Sequence, residues 1–310
     1  MKRIAVTGGT GFIGAALIDQ LIEEGFAVRA LARDRRRVRR AGEIEIVEGD
    51  LENAAALAKL ADGADVFLHL AGETHAPTEQ DYARINVAGA ERAAKAAAKA
   101  GARFIHASSL SARQPETSPY ARSKFEGEKA VADASAGNSF LALRLPAIYG
   151  PGDLVTLPYF KLLKSGFAFE PATDRPARAS LLFVEDAASA FIAAARRGEP
   201  GIVYEVEDEE PDGRAWSEIG KTLSAVFGNN AMAFRIPKPA VALLHEGVRA
   251  AESVFGKTPS IRQGQVNELF HPDWVARNAL FGASTGWRPK TPLKEGFAKT
   301  VRWYQEQGLL

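Results

Sequence analysis

The stretch Arg3-Ile-Ala-Val-Thr-Gly-Gly-Thr-Gly-Phe-Ile-Gly14 decides the fold. Arg3–Thr7 is an apolar, strand-like run, glycines follow at positions 8, 11 and 14, and residues 11–24 then carry apolar side chains at helical spacing. A strand that turns on glycines into a helix is the dinucleotide-binding pattern. Gly8 permits the tight turn, Gly11 lets the backbone approach a pyrophosphate, and Gly14 lets the helix pack against the strand. The helix N-terminus offers unpaired N–H groups and a positive dipole end to phosphates. Thr10, Phe12 and Ile13, in the same turn, join the glycines as candidate cofactor contacts.

Outward from this unit, β-type runs alternate with helical patterns. Ala27–Ala32, Ile44–Val47, Val66–Leu70, Arg103–Ala107 and Phe140–Leu145 are nearly continuous in apolar residues, as strands are when both faces of a parallel sheet are covered. Between them Glu52–Leu60, Asp81–Lys99 and Tyr120–Ala134 read as helices. The alternation predicts an α/β fold, a doubly wound parallel sheet of Rossmann type over residues 1–150. After Gly150 prolines punctuate shorter elements, and residues 151–310 are expected to form a smaller, interleaved substrate lobe. Leu181–Arg197 is again strand then helix, so a segment at about 180–198 is expected to return to the first lobe, and Leu293–Glu306 reads as an amphipathic helix. At roughly 150 residues per unit, 310 residues agree with about two such units.

Composition narrows the chemistry. The chain has no cysteine, which removes disulfides, thiolate catalysis and cysteine metal sites. Its five histidines lack ligand spacing, so no metal is expected, and His69, His75 and His106 are read as structural. With 39 Lys and Arg against 38 Asp and Glu, the net charge is +1, so no overall field draws in nucleic acid. Without a long apolar run or a signal-peptide pattern at the N-terminus, neither a membrane nor a nucleic-acid partner is expected, and the expected location is cytoplasmic.

The second strand's end distinguishes NAD from NADP. An acidic residue there would bind the ribose 2′-OH; this chain has Arg33, which can clamp a 2′-phosphate, so NADP is preferred with NAD as the alternative. Most of Arg35–Arg40 is read as a solvated face. Asp50 and Leu51 at the third strand end, and Leu70, Ala71 and Gly72 at the fourth, lie along the expected cofactor path. Tyr120 and Lys124, at i and i+4, share one helical face behind the N-cap Ser118 and Pro119. An ammonium there would lower the phenol's pKa toward neutrality. Ser108 and Ser109 end the fifth strand, where parallel sheets gather ligands.

The motifs TGGTGFIG, GD, LAG, SS, YARSK and LRLPAIYGPGD, in that order, resemble the extended short-chain dehydrogenase/reductase family (NAD(P)-dependent epimerase/dehydratase-like) over the first 150 residues. The later segments SLLFVEDAASA and GWRPKTPLKEGFAKTVRWY resemble it too. The resemblance implies Tyr120 as general acid/base, Lys124 as the residue that lowers the tyrosine pKa and holds the nicotinamide ribose, and Ser109 as hydrogen-bond partner of the substrate oxygen. Ser111 stands in if the register is shifted. Asn86 is implied as a supporting residue, and Pro146 and Ile148 as further cofactor contacts.

The activity expected is an NADP-dependent oxidoreductase acting on a small carbonyl or alcohol. The alternatives are a nucleotide-sugar epimerase and a non-catalytic NADP-binding sensor or assembly protein; the sensor is disfavoured because Tyr120 and Lys124 are both present. Against a dehydratase, Leu110-Ser111-Ala112 lacks the acidic pair of those relatives. Against the epimerase, Ala179 stands where the diphosphate arginine is expected, Arg178 is one residue away, and only Arg262 could be the second. Tyr149, Phe169, Arg178 and His271 are candidate pocket residues that read first as structural, and the helices Asp81–Lys99 and Tyr120–Ala134 would form the dimer surface of a homodimer.

Overall fold

A computed structural model describes residues 2–135, 139–241, 243, 263–277 and 279–310. The strands β1 (Arg3–Thr7), β2 (Ala27–Ala32), β3 (Glu45–Glu48), β4 (Val66–His69), β5 (Arg103–Ser109) and β6 (Phe140–Leu145) join one parallel sheet in the order β3-β2-β1-β4-β5-β6. Chain order reverses between β1 and β4, so a crevice opens there beyond the strands' carboxyl ends. Four boundaries differ from the sequence reading: β3 starts and ends one residue later, β4 ends one earlier, and β5 runs on through Ser109. That extension pairs Ser109 with Leu145 and holds its hydroxyl at the sheet's edge.

The helices on one face are α2 (Ala54–Ala61), α4 (Ala90–Lys99) and α5 (Pro119–Ala134). Ala90, Ala93, Ala94 and Ala97 are buried on α4 at helical spacing, and their small side chains let it approach α2 and α5 closely. The single helix expected over Asp81–Lys99 is instead α3 (Glu79–Tyr82), a wide π-helical stretch Ala83–Gly89, and α4. The wide turn carries Asn86, whose side chain is buried and fully bonded.

The opposite face is covered by α1 (Phe12–Glu23) and α7 (Val184–Arg197), which pack together. The segment at about 180–198 thus sets its helix α7 against α1. Its strand β10 (Leu181–Phe183), however, pairs with β7 (Ala147–Tyr149) outside the main sheet. The strand that does extend that sheet is β11 (Val203–Glu205), unanticipated because it is only three residues long.

The remaining elements are α6 (Leu157–Lys164), β8 (Phe167–Ala172), β9 (Arg178–Ala179), β12 (Arg214–Ala215), α8 (Trp216–Phe227), β13 (Met232–Pro237), α9 (Gln263–Leu269), β14 (Asp273–Trp274), α10 (Leu280–Thr285) and α11 (Leu293–Glu306). An aromatic core holds α6, α8 and α11: Phe160 meets Phe297 at 5.5 Å and Tyr304 at 5.2 Å, and Tyr149 meets Phe297 at 5.0 Å. Among the described residues no helix is long and apolar enough to cross a membrane.

Gly14 shows why the opening motif is built of glycine. A Cβ there would lie 2.1 Å from the carbonyl oxygen of Gly8 and 2.8 Å from its carbon, both backbone atoms that cannot swing aside. Gly14→Ala is expected to cost about 2–3 kcal/mol through forced overpacking. Urea unfolding would show a lowered midpoint, and cofactor binding would weaken with it.

Candidate active site

The crevice between β1 and β4 holds a cavity of about 320 Å³. Gly8, Thr10 and Gly11 form its floor, where Gly8 has φ +75° and its carbonyl accepts the Gly11 N–H at 2.9 Å. Arg33, Asp50 and Leu51 line the β2–β3 end, and Leu70, Ala71 and Gly72 the β4 end. These nine residues line one cavity. Phe12 instead borders a neighbouring groove with Gly11, Ile13 and Ile148 pack against core side chains, and Gly14 and buried Pro146 do not line the cavity.

Two arginines on the helical segment 83–99 were missed by sequence reasoning. Arg84 and Arg92 both line the cavity, and the Arg92 guanidinium donates to the Leu51 carbonyl at 2.7 Å. They come from a helix with no local phosphate-binding motif, so only tertiary packing reveals them. Asp50 is engaged locally, accepting from the N–H groups of Glu52 and Asn53 at 2.9 and 3.1 Å.

The arginine run divides in two. Arg36 is paired with Asp34 at 2.9 Å, Arg39 with Asp19 at 3.0 Å and Arg40 with Glu43 at 2.6 Å, and Arg35 donates to the Ala41 carbonyl. These cations are spent on neighbours. Arg33 makes no such pair among the described residues and faces the cavity.

At the other end of the crevice, Ser118 caps α5 by accepting the Ala121 N–H at 2.9 Å, and Pro119 opens the helix. Tyr120 therefore sits in the first turn, with its hydroxyl close enough to Ser109 for that serine to favour the phenolate. Ser109 accepts the Ser111 N–H at 3.1 Å, whereas the Ser111 hydroxyl donates to Glu268 at 3.2 Å. Ser109, not Ser111, is thus the serine that acts on the tyrosine.

One turn on, the buried Lys124 ammonium donates to the Ala107 carbonyl at 2.8 Å. It stands close to Gly72, where a Cβ would lie 3.5 Å from Nζ. Asn86 ties this corner together: its Nδ2 donates to the Glu73 carbonyl and Ser123 hydroxyl, each at 2.9 Å, and its Oδ1 accepts the Glu73 N–H at 2.8 Å. Beneath lies Glu128, held by Arg144 at 2.7 and 2.8 Å and by the Ser108 hydroxyl.

Burial pushes the Lys124 ammonium down to about 8, and the Glu128 carboxylate opposes that shift. Burial also raises the Tyr120 phenol above its usual range; the Ser109 hydroxyl opposes this, and the Glu268 carboxylate and Tyr82 add to it. The sequence reading has the lysine lowering the phenol. In the protein alone the direction is the reverse, because desolvation outweighs the effect of Ser109 and the ammonium is turned to Ala107. His69 and His106 stack at 5.6 Å below the site; burial first, and the Lys124 charge second, push His69 down to about 3 and His106 well below its ordinary value. Both are neutral packing groups. Among the described residues no cluster of acidic and histidine side chains could hold a metal ion.

The second lobe contributes a residue that sequence reasoning passed over. Glu268, on α9, accepts hydrogen bonds from the Ser111 and Ser118 hydroxyls, and burial raises its carboxyl pKa. Asn267 donates to the Thr117 carbonyl at 3.1 Å, so α9 is latched to the start of α5. The candidate pocket residues have other tasks. Arg178 donates to the carbonyls of Asp212 and Gly213 at 2.8 Å each, Tyr149 is buried in the aromatic core, and His271 stacks on Trp274 at 4.4 Å. Phe169 packs against Trp216 and Phe270. Arg262 lies outside the described residues.

Comparison with known proteins places this geometry in context. Residues 4–206 match the NAD dependent epimerase/dehydratase family. A ceramide reductase of Caulobacter vibrioides is 41% identical over 311 residues, covering 99% of this chain and 96% of that protein. A 3 beta-hydroxysteroid dehydrogenase/Delta 5-->4-isomerase of Mycobacterium tuberculosis is 25% identical, covering 98% of this chain and 90% of its own. The solved structure of the enzyme WbmH from Bordetella bronchiseptica, in complex with NAD+, shares the fold with a TM-score of 0.76 at 21% identity, covering 99% of each chain.

Proposed function

The chain belongs to the NAD dependent epimerase/dehydratase family, the extended short-chain dehydrogenase/reductases, and within it we propose an NADP-dependent reductase that converts the carbonyl of a lipid to an alcohol. The observation that carries this reading is the Tyr120 hydroxyl beside Ser109, one helical turn from the buried Lys124 ammonium, which stands next to Gly72 of the crevice lining. The extensive similarity to a ceramide reductase supports the lipid substrate. Tyr120 and Lys124 would act both in the chemistry and in holding the cofactor. Residues 1–150, with the return helix, would bind the cofactor and the rest would choose the substrate.

The crevice fits a nicotinamide dinucleotide: the Gly8–Gly11 turn presents bare backbone, and Arg33 waits at the end where a 2′-phosphate would lie. When bound, that cofactor supplies the hydride. The chain's residues manage the proton and the oxygen. Ser109 Oγ orients the substrate oxygen, and Tyr120 Oη gives it the proton that completes the alcohol. Lys124, with its charge enclosed by low-dielectric surroundings, stabilises the phenolate left behind and brings the raised phenol back toward the working range once the site is filled. Asn86 and Glu128 keep the loop after β4 and the lysine in place.

The engagement of Arg178 by two backbone carbonyls weighs against a nucleotide-sugar epimerase, which needs cations free for a diphosphate. Mass spectrometry of molecules retained by the purified protein separates the two readings. Exchangeable NADP together with an amide or sterol-like lipid is expected. A tightly held cofactor accompanied by a sugar nucleotide would replace this proposal with the epimerase.

A further inference from the structure

The second lobe carries an apolar surface that the site does not use. β8 and β13 pair in parallel as a two-stranded ribbon with no third strand among the described residues, Phe167 opposite Met232 and Phe169 opposite Phe234. In extended strands alternate residues share a face, so Phe167, Phe169, Met232, Phe234 and Ile236 lie together. Three of them are open to solvent: Phe167 at 47%, Met232 at 62% and Phe234 at 44% exposure, and the Phe167 and Phe234 rings meet at 5.8 Å. Contiguous large apolar groups left in water mark an interaction surface.

The flanking charge is one-sided. Arg235 and Glu170 are cross-strand partners on the opposite face, which leaves Lys164 and Lys238, one beyond each end of the ribbon, as the flanking charges. Neither forms an ion pair with the described residues, although the whole chain is nearly neutral. The ribbon also continues inward. Phe169 meets Phe270 at 6.2 Å, and Phe270 directly follows α9, whose Glu268 is bonded to Ser111 and Ser118 beside Tyr120.

We infer that the β8–β13 ribbon is a docking surface for a lipid bilayer bearing anionic headgroups, with Phe167, Met232 and Phe234 entering the interface and Lys164 and Lys238 meeting the headgroups. This deepens, and rests on, the reading of the substrate as a lipid, since a membrane is where such a substrate resides. It revises the sequence expectation of no membrane partner: the surface lies on the bilayer and does not cross it. A second copy of the chain suits the ribbon less, because face-to-face pairing would set like charges together, whereas anionic lipid attracts both lysines.

The test is flotation of the full chain, without substrate, on vesicles of three parts phosphatidylcholine to one part phosphatidylglycerol, and on phosphatidylcholine alone. The chain is expected to float with the mixed vesicles, more weakly with the neutral ones, and less as salt rises. Met232→Ser with Phe234→Ser, and separately Lys164→Glu with Lys238→Glu, are each expected to lower partitioning about tenfold or more. Both pairs change exposed side chains, and an unaltered melting temperature establishes that each variant folds. Their turnover of a short-chain carbonyl in solution is expected to stay at the parent level. Wild-type chain left in the aqueous fraction, variants that float like the parent, equal binding to neutral vesicles, or a dimer that the serine pair dissociates would each overturn the inference. Because flotation needs no turnover, loss of the reductase reading would appear separately, as floating protein that reduces no carbonyl.

Discussion

Tyr120→Phe is expected to lower kcat with a carbonyl substrate by about 10³-fold or more while leaving the Kd for NADPH within about twofold, the range general acid catalysis commands. The substitution removes one hydroxyl and keeps the ring. Its local consequence is small: Ser109 still accepts the Ser111 N–H, and the ring still meets Tyr82 at 6.1 Å. Cofactor contacts along Gly8–Gly11 and at Arg33 lie elsewhere in the crevice. The loss would therefore fall on kcat and not on cofactor affinity. Stopped-flow kinetics together with a fluorescence titration of NADPH separates the two quantities. Activity retained by the phenylalanine variant would move the proton donor to another group, of which Glu268, already hydrogen-bonded nearby and shifted upward by burial, is the first to test.

Arg33→Ala is expected to abolish most of a preference for NADPH over NADH. A charge-assisted hydrogen bond to phosphate is worth ~1.5–3 kcal/mol, or about ten- to a hundredfold in affinity. The exposure of Arg33 to solvent places the effect toward the lower end and makes it sensitive to salt. The neighbouring arginines do not duplicate it, because none between residues 35 and 40 lines the cavity, and Arg36, Arg39 and Arg40 are held by Asp34, Asp19 and Glu43. NADPH affinity should fall and NADH affinity stay nearly constant in paired titrations. Equal affinities in the parent protein would reject the cofactor preference outright.

What could be read in the sequence follows the range of the interactions. Gly8, Gly11 and Gly14 act within one strand, turn and helix, so their spacing reveals the crevice. The pair Tyr120 and Lys124 is likewise set by one helical turn behind a local cap. The electrostatics at that pair were misread because burial is a tertiary property: the same residues that read as a lowered phenol carry a raised one. Elements outside such short units were obscured. The π-helical stretch Ala83–Gly89 has the composition of an ordinary helix, and β11 is too short for its alternation to register. Glu268, Arg84 and Arg92 reach their sites across the fold, with no spacing to announce them. The β8–β13 ribbon unites segments 60 or more residues apart, and its exposed face shows only when they pair. Arg178, by contrast, has the residue type and place of a diphosphate ligand and is turned to the Asp212–Gly213 backbone.

The central claim is that the chain delivers a hydride and a proton to a lipid carbonyl. Transfer of label from NADPH deuterated at nicotinamide C4, followed by mass spectrometry of the lipid, tests it most directly. With a long-chain amide bearing a ketone, one deuterium per alcohol is expected at the former carbonyl carbon, from one face of the cofactor, with one NADP formed for each. An unlabelled lipid and undiminished NADPH, beside a cofactor-retaining protein that interconverts sugar-nucleotide epimers, would contradict it.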